Sequence, residues 1–147
     1  MGVGNEYRRD DAAGLRVARS IRQRQPTSVS VTEQTGEGAA LMEAWQGAPA
    51  VILIDAVHSG GKPGTIHRFE AHAQPMPAEF FHYSTHAFSL AEAIEMARAL
   101  KRLPPRVVVF GVEGKDFTSG IGLSPEVETA TQEVTTRILS ELQCDPA

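Results

Sequence analysis

The chain of 147 residues contains a single cysteine, Cys144, close to its C-terminal end. A disulfide needs two cysteines and a cysteine-based zinc finger needs several, so the sequence excludes both kinds of scaffold. A chain of this length buries enough surface to fold without either of them. We therefore expect one compact domain over residues 1–147.

Long apolar runs and dense clusters of one charge are also missing. No stretch approaches the roughly 20 apolar residues of a membrane-spanning helix, and no charged-then-apolar leader precedes residue 20. The formal net charge is -4, and the basic residues of segment 16–24 are spread along a predicted helix, which argues against nucleic acid as a partner. We expect a cytoplasmic protein with no membrane insertion, and we take it to be a monomer.

Helix-like and strand-like segments alternate along the chain, which predicts an α/β domain around a mainly parallel sheet. The apolar run before Asp55 predicts a central strand, whereas the short connection after it predicts an antiparallel edge strand. Ser89 and Glu92 form a capping box. The predicted strands are Ser28–Thr32, Ala50–Asp55, Thr65–Phe69 and Arg106–Phe110, and the predicted helices are Asp10–Gln23, one after Gly36, one after Ser89 and one from Ser124-Pro125.

The N-terminal segment begins directly at the glycine turn Gly2–Asn5, with no predicted strand before it. In a doubly wound domain, the first, central strand usually precedes such a turn. We therefore expect the first strand to be missing from this chain, with four to six apolar residues, roughly one strand length, encoded upstream of Met1.

Acidic residues at two predicted element ends are the candidates for chemistry. Asp10 and Asp11 follow the glycine turn; one of them suffices to cap a helix, and the second adds local negative charge that attracts a cation. Asp55 ends an apolar strand, where open α/β sheets place ligand sites. Two carboxylates with an imidazole from His82 or His86 would suit a divalent transition metal. The remaining histidines are expected on the surface: His58, His67 and His72.

The glycine turn also resembles half of a dinucleotide-binding fingerprint. Tyr7 stands where the third glycine should be, and its bulk would obstruct the close approach of helix to strand. A nucleotide-binding domain is therefore the weaker interpretation.

Four motifs in order resemble the hydrogenase maturation protease family across nearly the whole chain. The motifs are Gly2–Gly14, Ile54–Gly64, Ser84–Ala93, and Gly111–Gly114 with Gly122–Val127. The resemblance implies a three-layer α/β/α domain with a mainly parallel twisted sheet, of the phosphorylase/hydrolase-like kind. It also implies an endopeptidase that removes the C-terminal extension of a nickel–iron hydrogenase large-subunit precursor after nickel insertion.

The resemblance implies that three residues are catalytic and recognise the metal: Asp11, Asp55 and His86. Nickel then belongs to the substrate and is recognised rather than resident, and no organic cofactor is expected. Asp10 is assigned to helix capping. Whether an aspartate or a metal-bound water attacks the peptide bond stays open. A non-catalytic, nickel-sensing chaperone of the immature subunit is the alternative function.

Overall fold

The computed structural model describes residues 1–77 and 89–144. Within them, short strands and helices alternate as the sequence predicts, and a 3-10 turn at Arg9–Ala12 leads into the first helix. The strands are β1 (Gly2–Val3), β2 (Glu33–Gln34), β3 (Ala50–Val57), β4 (Ile66–Glu70) and β5 (Arg106–Glu113), and the helices are α1 (Ala13–Arg24), α2 (Gly38–Ala44), α3 (Leu90–Ala99) and α4 (Pro125–Cys144).

The described strands form one five-stranded sheet in the order β2-β1-β3-β5-β4. All neighbours run parallel except β4, which pairs antiparallel with β5 at the edge. The predictions of a mainly parallel sheet and of an antiparallel edge strand are confirmed. The long pairing of β3 with β5 follows from two runs of branched apolar residues, each covered on both faces.

Two apolar clusters cover the two faces of the sheet, so the domain has three layers. Alternate residues of β3 and β5, such as Leu53 and Val109, pack on one face with α2 and α3. Their neighbours, such as Ile54 and Phe110, pack on the other face with α1 and α4. This alternation is the period of two expected for strands, and it confirms the predicted α/β/α architecture.

The structure corrects the expectation of a missing first strand. Gly2 and Val3 form β1, which pairs with β2 on one side and reaches Ile54 of β3 on the other. Two residues are too few to show a hydrophobic period, so the sequence pattern did not reveal the strand. The apolar residues expected upstream of Met1 stay a prediction.

The second strand lies downstream of its predicted position, at Glu33–Gln34 rather than Ser28–Thr32. A strand exists only where a partner supplies its hydrogen bonds, and β1 offers two residues for pairing. The alternating Val29 and Val31 precede this short ladder and belong to the connection from α1.

Helix ends follow the local signals closely. Glu37 caps α2 by accepting hydrogen bonds from the amides of Ala39 and Ala40 at 3.0 and 2.9 Å. Ser89 caps α3 through the amide of Glu92. No helix among residues 1–77 and 89–144 is long and apolar enough to cross a membrane.

Candidate functional site

The sheet order places a crevice beside the carboxyl end of β1. The chain passes from β1 through α1 to β2 on one side, and then through α2 to β3 on the other side of β1. Such a reversal is the topological switch point at which open α/β sheets bind their ligands. Asp11 lies after β1 and Asp55 lies near the end of β3, so both carboxylates belong to this crevice.

Glycines bring the start of α1 onto the sheet. A Cβ atom on Gly14 would lie 2.2 Å from the carbonyl oxygen of Ile54 and 2.5 Å from that of Val3. One on Gly4 would lie 2.0 Å from the carbonyl oxygen of Asp11. Only glycine permits these contacts, and they set Asp11 close above the end of β3.

The glycine turn holds the Asp11 carboxylate directly. The amide of Asn5 donates to Asp11 Oδ2 at 3.1 Å, and the Asn5 side chain accepts from the amide of Tyr7 at 2.9 Å. Both contacts are local, so the turn and the carboxylate are positioned as one unit. Asn5 therefore shapes the turn beside Asp11.

Asp55 is half-buried, and the amide of Ala56 donates to its Oδ1 atom at 2.8 Å. Desolvation by the surrounding protein raises the pKa of Asp55 well above its usual value of 3.8, and the negative charge of Asp11 raises it further. The structure thus brings Asp11 and Asp55 within electrostatic reach of each other. Such a pair is suited to share a proton or a cation, because two adjacent charges of the same sign repel.

The third predicted residue, His86, lies outside the described residues, as does His82. Within residues 1–77 and 89–144, no group of three or more His, Cys, Asp or Glu side chains could hold a metal ion. The convergence of Asp11, Asp55 and His86 therefore stays a prediction, with its two acidic members placed together.

Asp10 does not cap a helix, contrary to the prediction. Its side chain is fully buried, and its carboxylate accepts four hydrogen bonds from the loop between β5 and α4, at 2.7 to 2.8 Å. The donors are the amides of Lys115, Asp116 and Ser124 and the hydroxyl of Ser124. Two adjacent aspartates therefore have different tasks: Asp10 ties loops together and Asp11 faces the crevice.

Sequence reasoning missed Glu113, a buried carboxylate at the end of β5 with 1% of its surface exposed. It accepts hydrogen bonds from the hydroxyl and amide of Ser59, and it contacts His67 Nε2 at 3.1 Å. These contacts anchor the loop that follows β3 to the end of β5. The signal was available, because Glu113 ends an apolar strand just as Asp55 does.

The histidines predicted to lie on the surface differ among themselves. His58 is exposed and stacks on Phe117 with ring centroids 5.2 Å apart. His67 and His72 are half-buried, and the amide of Val107 donates to His72 Nδ1 at 3.0 Å. These two are less exposed than predicted, because His67, on β4, contacts the buried Glu113, and His72, just after β4, accepts from the backbone of Val107.

Comparison with known proteins identifies the family. The family described as hydrogenase maturation protease (HycI) matches residues 15–141, most of the chain. The chain belongs to the hydrogenase maturation protease family. The protein is therefore a peptidase. The matched span contains Asp55 and His86, while Asp11 lies just before it.

Individual relatives agree with this assignment. The hydrogenase 2 maturation protease of Escherichia coli (strain K12) is 27% identical over 147 residues, which covers 97% of this chain and 88% of that protein. The solution structure of an endopeptidase from Escherichia coli matches this protease with a TM-score of 0.83 at 27% identity, over 97% of this chain and 89% of that one. The Escherichia coli hydrogenase maturating endopeptidase HybD shares the fold, with a TM-score of 0.76 at 24% identity and coverage of 97% and 89%.

Proposed function

We propose that this protease removes the C-terminal extension of a nickel–iron hydrogenase large-subunit precursor once nickel has been inserted. Asp11, Asp55 and His86 form its site, and the nickel belongs to the substrate. The family supports a peptidase that acts in hydrogenase maturation. The carboxylate pair at the switch point supports the residue assignment for the two aspartates.

The observation that carries the proposal is the raised pKa of Asp55 beside Asp11. Within the described part of the chain, no cation contributes to that pKa; burial and the charge of Asp11 dominate. A divalent metal presented by the precursor would supply positive charge beside Asp11 and Asp55 and so favour their binding of the loaded substrate. A precursor without nickel brings no such charge, so the pair distinguishes loaded from empty substrate.

The same pair supplies what peptide hydrolysis requires. Attack on the scissile carbonyl needs a water molecule that has lost a proton, and the departing nitrogen needs a proton. Asp11 and Asp55 lie at one crevice, so an ionised carboxylate of the pair can accept a proton from the attacking water, and a protonated partner can give its own proton to the departing nitrogen. A small set of protein ligands leaves positions around the metal open to substrate and water.

The test compares nickel-loaded and nickel-free precursor, each incubated with the purified protease and weighed by mass spectrometry. The wild-type protein should shorten the loaded precursor and leave the empty one intact. Asp55→Ala should abolish the cleavage while keeping the circular dichroism spectrum unchanged. Glu133→Gln, at an exposed carboxylate on α4, is the matched control and should cleave at the wild-type rate.

Cleavage by Asp55→Ala at the wild-type rate would refute the role of Asp55. A loaded precursor that binds but keeps its mass in the presence of wild-type protein would instead identify a nickel-sensing chaperone. The cytoplasmic location and the monomeric state stay predictions, and size-exclusion chromatography with light scattering tests the latter.

A further inference from the structure

Large apolar side chains are exposed at two places in the described part of the chain. Tyr7 and Ile121 keep 64% and 73% of their surface exposed, and they lie on loops at the carboxyl edge of the sheet. The other exposed residues are Met96 and Leu100, at the far end of α3 near the start of β5. Single exposed apolar residues are common on protein surfaces, so what matters is how Tyr7 and Ile121 are held.

The two loops that carry Tyr7 and Ile121, residues 5–10 and 116–122, form one unit that we name the rim platform. Arg8 and Gly120 form a parallel β-bridge. The amide of Gly120 donates to the carbonyl of Tyr7 at 2.9 Å, and the amide of Arg9 donates to that of Gly120 at 3.1 Å. Tyr7 directly precedes one residue of this bridge and Ile121 directly follows the other, so both lie next to it.

The rim platform is fixed to the body of the protein and to the acidic pair. The amide of Asp10 donates to the carbonyl of Asp116 at 3.0 Å, and the buried carboxylate of Asp10 holds the adjoining loop. Phe117 stacks on His58, the residue directly after β3. Asp11 follows directly in the chain, so the rim platform adjoins the acidic pair.

Backbone strain marks the same place. Arg9 has a φ of 47°, in the left-handed region that residues other than glycine rarely occupy. Its guanidinium lies against Gly120, where a Cβ atom would be only 2.6 Å from Arg9 Nη2. Non-glycine residues in this region cost free energy, and they concentrate at functional sites.

The charged groups around the rim platform are paired with one another. Arg9 lies 3.7 Å from Asp116, Lys115 lies 3.2 Å from Glu126, and Arg19 lies 2.9 Å from Glu6. These local pairs reduce the net field of the surface. Tyr7 and Ile121 are therefore the apolar contacts that the platform offers, an aromatic ring and a branched aliphatic side chain on a backbone held by hydrogen bonds.

We propose that Tyr7 and Ile121 bind an apolar surface of the hydrogenase large-subunit precursor beside its scissile bond, and so determine which precursor is accepted. This inference rests on the proposed function, because it assigns the substrate contact of the same site. Rigid aromatic and aliphatic anchors lose little entropy on binding and carry a large share of binding energy at protein interfaces.

The test measures cleavage of nickel-loaded precursor by a Tyr7→Ser/Ile121→Ser double variant. The KM should rise by about tenfold or more, since a loss of this size is typical for truncated anchors, while kcat stays within about twofold. The matched control is Met96→Ser/Leu100→Ser, which removes the other exposed large apolar side chains of the described residues, at the opposite edge, and should keep the wild-type KM. The conservative variant Tyr7→Phe/Ile121→Val should restore wild-type KM.

A second measurement does not depend on kinetics. A photoreactive phenylalanine at position 7 should crosslink to the precursor, and the same group at position 96 should not. Two outcomes would show that the rim platform is not the contact. In the first, the wild-type protein cleaves the precursor and the Ser double variant keeps the wild-type KM. In the second, position 96 crosslinks to the precursor and position 7 does not. If the wild-type protein leaves the precursor uncut, the proposed function itself fails.

Discussion

Replacing Asp55 by asparagine should stabilise the protein in the absence of substrate, even though it removes a site residue. The wild-type carboxyl group must either ionise in a desolvated place beside Asp11 or hold a proton above its usual pKa, and both carry a cost. Asparagine carries no charge, and its side-chain oxygen still accepts from the amide of Ala56.

The sign and size of the effect follow from linkage between proton binding and folding. The pKa of Asp55 is raised in the folded state, so the stability that it contributes is fully present below pH 3.8 and is lost as the pH rises through the folded-state pKa. Each pH unit in that window costs about 1.4 kcal/mol. That figure is an upper limit, because Asp55 keeps partial contact with solvent, which lowers the cost of its ionisation.

The assay is urea unfolding of wild-type protein and Asp55→Asn from about pH 5 to about pH 8, where the free energies of unfolding are compared at each pH. The stability difference in favour of the variant should grow with pH and then level off. Asp11→Asn should shrink that growth, because the Asp11 charge helps to raise the pKa of Asp55. Glu33→Gln is the control, because the pKa of Glu33 is shifted in the opposite direction to that of Asp55.

Hydrogen bonds from Arg19 and Arg22 lower the pKa of Glu33, so the stability that it contributes is lost only as the pH falls below its usual value of 4.5. Over the range of the assay, the difference between wild type and Glu33→Gln should therefore stay flat. A flat difference for Asp55→Asn as well, or an Asp55→Asn protein less stable than wild type, would refute the reasoning.

Two further predictions concern the buried carboxylates outside the acidic pair. Asp10→Asn should lower the free energy of unfolding by about 2–4 kcal/mol in urea titrations, because the new amide NH2 must face a backbone N–H. Ser124→Ala should lower it by only about 1 kcal/mol, since it removes one of the four hydrogen bonds to Asp10. Equal losses for both variants would contradict the role of Asp10 in joining these loops. Glu113→Ala should lower the free energy of unfolding by about 2–4 kcal/mol, because it deprives Ser59 and His67 of a buried acceptor. Ser59→Ala should lower it by about 1 kcal/mol, and thermal unfolding measures both effects. A Glu113→Ala protein that melts at the wild-type temperature would contradict this account.

Elements with strong local patterns were predicted well. The apolar run from Ala50 forms β3, the Ser89 cap begins α3, and Pro125 begins α4, each within a few residues of its expected position. These patterns reflect burial on both faces, capping of free amides and the fixed φ of proline, all of which act over a few residues. Such local effects can be recognised in a single sequence.

Elements that depend on a distant partner were missed or misplaced. β1 and β2 are two-residue strands whose hydrogen bonds come from neighbouring strands, so no local pattern marks their positions. Glu113 and Ser59 are separated by 54 positions, and no spacing in the sequence joins them. The sequence does offer Glu113 as a candidate, but its burial and its partners come from the packing of β5 beside β3.

The sequence by itself determined the α/β class, the family and the candidacy of Asp55 at the end of its strand. Only the tertiary structure decided that Asp10 is buried in a loop junction while its neighbour Asp11 faces Asp55. Adjacent residues of the same type share composition, propensity and local charge. Their environments differ because backbone amides and a hydroxyl more than a hundred positions away donate to Asp10, and a chain acquires such neighbours only when it folds.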